Sequence, residues 1–446
     1  MTTDGAVASA ALPAKKIHTD PTKDFFVTMI TRDILLRDCI FDLLDNSIDG
    51  ARRKPSGHAA KPFAGHEIRL TFDAESFCIE DNTGGILLSD AIDYAFHFGR
   101  RPDSPDVAGG IGLYGIGMKR AIFKIGRMCT VTSHAHDASF KVTIDVDEWK
   151  VAEPWDFDYE DIQRSNARGT RIEITVLNDR VKEMLGDAVF KNELMKHIAR
   201  DYAFFIQQGL KISVGTDAVP SYKFQLRQSE QVTPAVEQYE DNGVRVRILA
   251  GLVDDLPDDI PDELKPKQVD RYGWFVICND RVVLAADKTD ATIWGDDNFN
   301  VWHPQYNAFA GFVFFHADDQ RKLPWTTTKR ELDPASPLYR RAISRMKTVT
   351  QVFMDYTNRR KADIETAKAA EVPGIKVDIS ELKQAQTFRF PTIAVTATRP
   401  HMINIQFRRD IRDVEEIKRH LGNVGMSARD VGIKTFEYFR EVELGK

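Results

Sequence analysis

The sequence has few of the features that are typical of secreted proteins, of proteins stabilised by a structural metal ion, or of membrane-spanning proteins. Its 446 residues include only four cysteines, and no two of them form a C-x-x-C pair. This argues against a structural zinc site and a disulfide framework, and it is typical of a reducing compartment. No apolar run approaches the ~20 residues that cross a bilayer, and the Ala-rich start has no basic region ahead of it. We therefore expect a soluble, cytoplasmic protein without a membrane segment.

The sequence also has no excess of basic over acidic residues. The formal net charge is −6, so it gives no support to nucleic-acid binding, which would depend on local basic edges. A nuclease-like metal cluster is not evident either, because His134-Ala135-His136-Asp137 is an isolated H-x-H in a predicted strand and is expected to be structural. The length corresponds to about two or three domains.

Hydrophobic periodicity divides the chain into five segments. They are a disordered arm (1–24), an α/β domain (25–205), a second α/β domain ending in a long helix (206–372), a linker (373–400) and a small C-terminal module (401–446). In the first domain the pattern predicts a helix over 25–53, a hairpin of strands 66–72 and 76–81, a helix over 118–125, and strands at 128–135, 140–146 and 169–177. In the second it predicts strands at 244–253, 273–286 and 308–317 and a helix over 336–371.

The first helix carries an acidic stripe. Residues recur at spacings of three and four on one face, and they are Asp38, Asp42, Asp45, Asn46 and Asp49. Like charges at that spacing destabilise a helix by about 0.2–0.5 kcal/mol per pair, so a cation is the natural compensation. Carboxylate and amide oxygens suit Mg²⁺, which keeps waters and shares its shell with phosphates. The alternative is a solvated acidic face.

A second candidate element is the strand that ends in Asp81-Asn82-Thr83-Gly84-Gly85. The ionised carboxylate of Asp81 can only accept hydrogen bonds, which suits the exocyclic amine of adenine. Gly85 would let a base ring approach the backbone closely. The alternative is an ordinary turn, for which these residue types are favoured.

The third element is a glycine-rich segment directly before a predicted helix. Its glycines are Gly109, Gly110, Gly112, Gly115 and Gly117. Serial glycines expose backbone N–H groups, and the helix N-terminus adds positive potential, so a phosphate cradle is expected, with Lys119 as a charged donor. A Rossmann site is excluded because no strand precedes the G-x-G-x-x-G, and a Walker A loop because no Gly-Lys-Ser/Thr is present. A purely structural loop is the alternative.

Taken in order, these elements resemble the gyrase–chaperone–kinase–MutL (GHKL) superfamily of ATPases. The family motif E-x-x-x-N-x-x-D-A stands here as Asp42 to Gly50, D-x-G-x-G as Asp81 to Gly85, the lid as Gly112 to Lys119, and a strand-opening Gly-Thr as Gly169-Thr170. The MORC-type and MutL-type ATPases look nearest. The resemblance implies a Bergerat ATP-binding α/β sandwich over 25–205 and a ribosomal-protein-like transducer domain over 206–372.

The resemblance also implies a role for each matched residue. Asn46 would hold Mg²⁺, Asp81 would bind adenine, and Lys329 of the transducer would reach back to the γ-phosphate. The other residues expected to line the nucleotide are Asp49, Gly85, Gly112, Gly115, Gly117, Lys119 and Thr170. Asp42, four residues before Asn46, would polarise the attacking water.

Two residues depart from the family pattern. Asp42 stands where the family has Glu and is one methylene shorter, so it must lie closer to the water or use a second one; Asp45 is a weaker candidate for the base. Thr83 stands where the family usually has Gly. The first departure affects turnover more than binding, so the alternative to an ATPase is a nucleotide-binding module that does not hydrolyse and acts with a partner. A histidine kinase is disfavoured because only His18 lies upstream of the ATP motifs.

We therefore predict Mg²⁺-dependent ATP binding, slow hydrolysis and ATP-gated homodimerisation, as a switch in nucleic-acid maintenance or defence against foreign DNA such as phage. The C-terminal module is predicted to hold a strand (402–407) and two helices (413–422 and 427–443), with Ser427 as N-cap. This βαα pattern weakly resembles ribbon–helix–helix modules, which dimerise through the strand and contact DNA. The alternative is a subdomain that packs or dimerises without DNA.

Overall fold

The computed structural model describes residues 19, 21–101, 103, 106–112, 115–257, 270–296, 299–326, 328–371, 374–393, 405 and 407–445. The chain divides into two compact units, Met1–Ile393 and Ala394–Lys446. The predicted mixed α/β architecture is confirmed for the larger unit.

The first part of the larger unit is built on an eight-stranded sheet of order β5-β4-β3-β6-β2-β1-β7-β8. Its strands are β1 (Glu67–Phe72), β2 (Ser76–Asp81), β3 (Gly126–His134), β4 (Ser139–Asp145), β5 (Tyr159–Asp161), β6 (Gly169–Leu177), β7 (Lys211–Val214) and β8 (Asp217–Ala218). The β1–β2 hairpin is confirmed. Because β7 pairs in parallel with β1, the sheet continues past residue 205, the predicted end of the first domain.

Helices supply the rest of this part. They are α1 (Lys23–Thr31), α2 (Leu36–Arg52), α3 (Leu88–Asp90) with a π-helical turn over Ala91–Ala95, α4 (Gly117–Ile125), α5 (Val146–Val151), α6 (Asp179–Leu185), α7 (Ala188–Asp201) and α8 (Ala203–Gln207). Burial alternates along β1, where Ile68 and Leu70 are buried and Arg69 is exposed. The buried side chains join one apolar cluster with Leu44 and Ile48 of α2, so the sheet fixes which face of α2 remains for a ligand.

The single helix predicted over 25–53 is wrong. The chain leaves the helical conformation after α1, and Leu35 is extended at the N-cap of α2. The break allows Val27 of α1 and Ile34 and Leu36 beyond it to enter the same core. Tertiary packing therefore overrides the local helical pattern at this point.

The second part of the larger unit has a five-stranded sheet of order β10-β11-β14-β12-β13, beside a two-stranded pair of β9 and β15. The strands are β9 (Gln225–Gln228), β10 (Ala235–Asp241), β11 (Val244–Leu252), β12 (Gly273–Cys278), β13 (Arg281–Asp287), β14 (Phe309–His316) and β15 (Ile375–Asp378). The run 273–286, predicted as one strand, is a hairpin, because Asn279 and Asp280 both have positive φ (47° and 69°) and form a tight turn.

The long helix predicted over 336–371 is interrupted. It consists of α9 (Pro337–Ala362) and α10 (Ile364–Ala370), and the Asp363 side chain caps α10 by accepting from the backbone N–H of Thr366. Residues 374–393, predicted as linker, instead contain β15 and backbone bridges to β10 and its preceding segment. Residues 373 and 394–400 of that linker, and all of the predicted arm up to 18, lie outside the described residues.

The smaller unit holds α11 (Ile411–His420) and α12 (Ala428–Val442). The predicted N-cap is confirmed, since the Ser427 hydroxyl accepts from the backbone N–H of Asp430 at 3.1 Å. The predicted strand 402–407 lies outside the described residues except at 405 and 407, so the βαα module stays a prediction. Within the described ranges, none of the helices combines the length and apolar character that crossing a bilayer requires.

Candidate nucleotide-binding site

A cavity of about 240 Å³ lies against α2, α4 and the ends of β2 and β6. Every residue predicted for the site lines it, and these are Asp42, Asn46, Asp49, Asp81, Gly85, Gly112, Gly115, Gly117, Lys119, Thr170 and Lys329. The fold thus brings together four separate motifs of the first part and one lysine of the second part. The roles assigned to these residues remain predictions.

One wall of the cavity is organised around Asp81. Its Oδ1 accepts from the backbone N–H and hydroxyl of Thr83 (2.9 and 2.7 Å) and from the backbone N–H of Thr170 (3.3 Å). Among the described residues, its Oδ2 accepts only from the Ser47 hydroxyl (2.8 Å). Burial raises the pKa of Asp81, and these donors oppose the rise by stabilising the carboxylate. Because a carboxylate oxygen accepts about two hydrogen bonds, Oδ2 can accept one more from a ligand amine.

Thr83 and Gly50 are sterically matched. An ideal Cβ on Gly50 would lie 2.5 Å from the Thr83 hydroxyl oxygen, so the space of a side chain on α2 is filled by Thr83. Gly50 stands at the last position of the helix motif, where the family pattern has Ala, and sequence reasoning did not note this. Gly85 is constrained in a similar way, since its φ is +75° and a Cβ there would lie 2.5 Å from the carbonyl oxygen of His134.

Asp49 connects α2 to the glycine-rich lid. Its Oδ1 accepts from the backbone N–H of Ile111 (2.8 Å) and its Oδ2 from that of Gly112 (2.6 Å). Burial raises the pKa of Asp49, and the two N–H groups counteract the rise. Both oxygens are therefore engaged by the backbone of the lid. Leu113 and Tyr114 of the lid lie outside the described residues.

Residues that follow strands β12 and β14 of the second sheet also hold the glycine-rich segment. The Asn279 side chain donates to the carbonyl of Gly110 (3.2 Å) and the Gln320 side chain to that of Gly112 (3.0 Å). The backbone N–H of Gly109 donates to the carbonyl of Asp318 (3.1 Å). A movement of the lid would therefore stretch or break the hydrogen bonds to the turn between β12 and β13 and to the segment after β14.

Asp42, the predicted base, is paired with an arginine. Arg120 of α4 donates to Asp42 Oδ2 through Nη2 (2.5 Å) and Nε (3.1 Å), and both side chains are buried. Burial raises the pKa of Asp42, with Lys329 and Arg120 acting in the opposite direction. Sequence reasoning missed this partner, although Arg120 directly follows Lys119.

Lys329 reaches the cavity from the segment after β14. Its φ of +56° is uncommon for a lysine and marks a backbone that the surroundings hold in place. Its Nζ donates to Asp45 Oδ2 at 2.8 Å and lies 3.9 Å from Asp42 Oδ1. Asp45 also accepts from the Tyr202 hydroxyl at 2.9 Å. Burial acts to raise the pKa of Asp45, but Lys329 and Arg281 hold it below its ordinary value.

Lys119 of α4 is buried, and burial disfavours the protonated form of its amine. Its Nζ donates to the carbonyl oxygens of Ala95 (2.9 Å) and Gly115. Burial lowers the pKa of Lys119 to about 7. An arriving phosphate would favour the ammonium form, because it supplies the negative charge that the surroundings lack.

Asn46 fits the predicted contact with Mg²⁺. Its side chain is exposed to the cavity, and among the described residues it has no hydrogen-bond partner. An amide oxygen is a suitable ligand for Mg²⁺ that shares its shell with phosphates and water. Asp42 and Asp45 beside it are already paired with cationic side chains. Within the described part of the chain, no three His, Cys, Asp or Glu side chains are grouped to hold a metal.

The H-x-H segment lies at the end of β3 and in the turn that follows it. His134 ends β3 and its Nδ1 lies 3.0 Å from the Ser139 hydroxyl. His136 and Asp137 lie in the turn before β4, not in a strand as predicted. The Asp137 carboxylate accepts from the backbone N–H of Leu88 (3.0 Å) and so fixes the start of α3.

A comparison with known protein families gives one match, over about a third of the chain. Residues 35–180 match the family described as histidine kinase-, DNA gyrase B-, and HSP90-like ATPase. The match supports the GHKL superfamily for this part of the chain and indicates ATP binding. Helices α2 and α4 and strands β1–β6 all lie within the matched range. A comparison with curated proteins gives no match.

The Gly50–Thr83 pair gives a testable prediction. Gly50→Ala should lower the free energy of unfolding by about 1–3 kcal/mol, because the new methyl group overlaps the Thr83 hydroxyl. Adding Thr83→Gly removes the overlapping atoms and should recover most of this loss. Urea unfolding of the two variants measures both effects. Equal losses of unfolding free energy in the single and double variants would show that the contact with Thr83 is not the cause of the loss.

Because the pKa of Lys119 is lowered, we predict that the protein takes up a proton when it binds a nucleotide. Above about pH 7 its amine is neutral in the free protein and becomes an ammonium beside phosphate, so ATP affinity should fall by at most about tenfold per pH unit from pH 7 towards 9. Calorimetry in buffers of different ionisation heat measures the protons bound. The control is Lys119→Met, which should lose this uptake. The same uptake in both proteins would assign it to another group.

Proposed function

We propose that this chain binds ATP with Mg²⁺ and hydrolyses it slowly, and that ATP closes the glycine-rich lid and drives dimerisation of two copies. One observation supports this most strongly. An acceptor for the adenine amine (Asp81), an amide oxygen for Mg²⁺ (Asn46), the lid glycines and two lysines line one cavity. These groups match, in type and number, what a nucleotide with its phosphates requires.

In the proposed reaction Asp42 orients a water for in-line attack on the γ-phosphate and accepts its proton. Lys119 and Lys329 offset the charge on the phosphates, together with the N-terminus of α4. Asn46 would hold Mg²⁺, which when bound neutralises further phosphate charge. Lys329 connects this reaction to the second sheet, because it lies on the segment that follows β14.

The proposed biological role is a conformational switch of the MORC or MutL type, in nucleic-acid maintenance or defence against foreign DNA. It rests on the motif resemblance and on the contacts between the lid and the second sheet at Asn279 and Gln320. The second sheet is proposed to act as a transducer, and the smaller unit as a dimerisation or DNA-contacting module. A partner protein would carry any effector chemistry.

A second candidate is a nucleotide-binding module without turnover. The observation that favours it is the pairing of Asp42 Oδ2 with Arg120, because an ion-paired carboxylate is a weaker base. In this case ATP would still close the lid, and its release would reset the switch.

The deciding experiment is phosphate release from ATP with Mg²⁺, measured beside equilibrium binding for the wild type and Asn46→Ala. We expect slow release by the wild type and loss of the Mg²⁺-dependent part of binding in Asn46→Ala, with binding in EDTA as the internal control. Binding without phosphate release would support the second candidate. Absence of ATP binding would refute both.

Dimerisation is tested separately by solution molecular mass. A non-hydrolysable ATP analogue with Mg²⁺ should double the mass of the wild type and leave that of Asn46→Ala unchanged. An unchanged wild-type mass would refute the dimer while leaving the nucleotide site in place.

A further inference from the structure

Arg120 and Asp42 form a buried pair inside the cavity that no motif of the chain predicts. Two N–H groups of the guanidinium converge on one carboxylate oxygen, Oδ2. Both side chains line the cavity, and both residues are at most 6% exposed. Burying two charges is costly unless they are paired with good geometry, so the contact constrains both side chains.

The first turn of α4 is shaped around this carboxylate. Gly117 lies three residues before Arg120, on the same face of the helix. An ideal Cβ on Gly117 would lie 3.1 Å from Asp42 Cγ and 3.4 Å from its Oδ1. The glycine therefore leaves room for the carboxylate, and the arginine binds its far oxygen.

The other charged groups around Asp42 leave Oδ1 less engaged than Oδ2. Lys329 lies 3.9 Å from Oδ1 and donates its hydrogen bond to Asp45 instead. Asp45, one turn further along α2, is in turn neutralised by Lys329 and Arg281. Among the four carboxylate oxygens of Asp42 and Asp45, Oδ1 of Asp42 is thus the one that accepts no hydrogen bond from the described residues.

We propose that Arg120 is the positioning residue for Asp42, holding Oδ2 so that Oδ1 faces the water that attacks the γ-phosphate. The proposal rests on the proposed hydrolysis. In this arrangement the aspartate that stands in place of the family's glutamate keeps one orientation, while its shorter reach still requires a closer water or a second one. Arg120 acts through Asp42, since its Nε and Nη2 are both directed at the carboxylate.

The test is a double-mutant cycle of Arg120→Gln and Asp42→Asn, with Arg120→Lys as the conservative variant. In Arg120→Gln we expect kcat to fall about 10²-fold, the lower end for a general base, while KM and ATP affinity change less than about threefold because phosphate contacts are intact. Arg120→Lys should recover part of kcat. In the Asp42→Asn background Arg120→Gln should lower the residual rate no further.

Unfolding of the nucleotide-free variants in urea supplies a readout that needs no turnover. Arg120→Gln alone should lower the midpoint because it strands the buried Asp42, and adding Asp42→Asn should restore it. Additive midpoints, or a loss of ATP affinity of tenfold or more in both backgrounds, would overturn the positioning role. A wild type that binds ATP but releases no phosphate would instead refute the proposed hydrolysis, and the catalytic purpose of this pair with it, even when the midpoints remain coupled.

Discussion

Asp42→Asn should reduce ATP hydrolysis by about 10²–10⁴-fold, the usual contribution of a positioned general base. Asparagine keeps the shape of the side chain and can still contact Arg120, but it cannot accept a proton from water. Nucleotide affinity should change little, because the adenine and Mg²⁺ contacts assigned to Asp81 and Asn46 do not involve Asp42. The measurement is single-turnover phosphate release at saturating ATP, beside equilibrium binding of ATP.

The matched control is Asp38→Asn, one turn earlier on α2. Asp38 pairs with Arg330 at 2.9 Å and is not among the residues that line the cavity. Turnover should therefore remain close to that of the wild type. If Asp42→Asn hydrolyses ATP at the wild-type rate, the base is another group, and Asp45 is the first to test. If both variants lose turnover equally, the loss reflects the helix and not the carboxylate at position 42.

Lys329→Met should both abolish turnover and destabilise the protein by about 3 kcal/mol, the lower end of the cost of breaking a buried ion pair. The lysine and Asp45 are nearly inaccessible, at 6% and 2% exposure, so the carboxylate that remains cannot be solvated. The lower end applies because Arg281 and Tyr202 still contact Asp45. Chemical denaturation and phosphate release measure the two effects.

The two effects of Lys329 are separated by a second substitution. Adding Asp45→Asn to Lys329→Met removes the stranded charge, so stability should return, whereas turnover should not, because the contact with the γ-phosphate is still missing. Recovery of both would mean that Lys329 is structural only. If neither stability nor turnover recovers, the cause would be the left-handed backbone at position 329, where φ is +56°. Methionine would then fail to support that conformation.

Much of the site can be predicted from the sequence because it depends on local backbone geometry. Asp42, Asn46 and Asp49 share a face of α2 because a helix repeats every 3.6 residues. Strand β2 ends at Asp81, and the glycines end at the start of α4, as the spacing predicts. Even Lys329, far along the chain, could be assigned, but only through the family resemblance and not through spacing.

Local signals failed where a distant partner decides the conformation. The break between α1 and α2 occurs in a run that is helical by pattern, because Ile34 and Leu36 enter a core made by other elements. The turn at Asn279-Asp280 was missed although Asn and Asp favour positive φ, because the apolar residues on both sides looked like one strand.

The sequence by itself determined the order of the motifs, the residues that each one presents and the α/β alternation around them, since helix period, strand period and glycine placement are local properties. Only the tertiary structure decided which residues meet: Arg120 with Asp42, Lys329 with Asp45, and Thr83 with Gly50. The reason is that each of these contacts joins elements packed by the common core, and a pairing across 284 positions, as between Asp45 and Lys329, leaves no period in the chain from which it could be inferred.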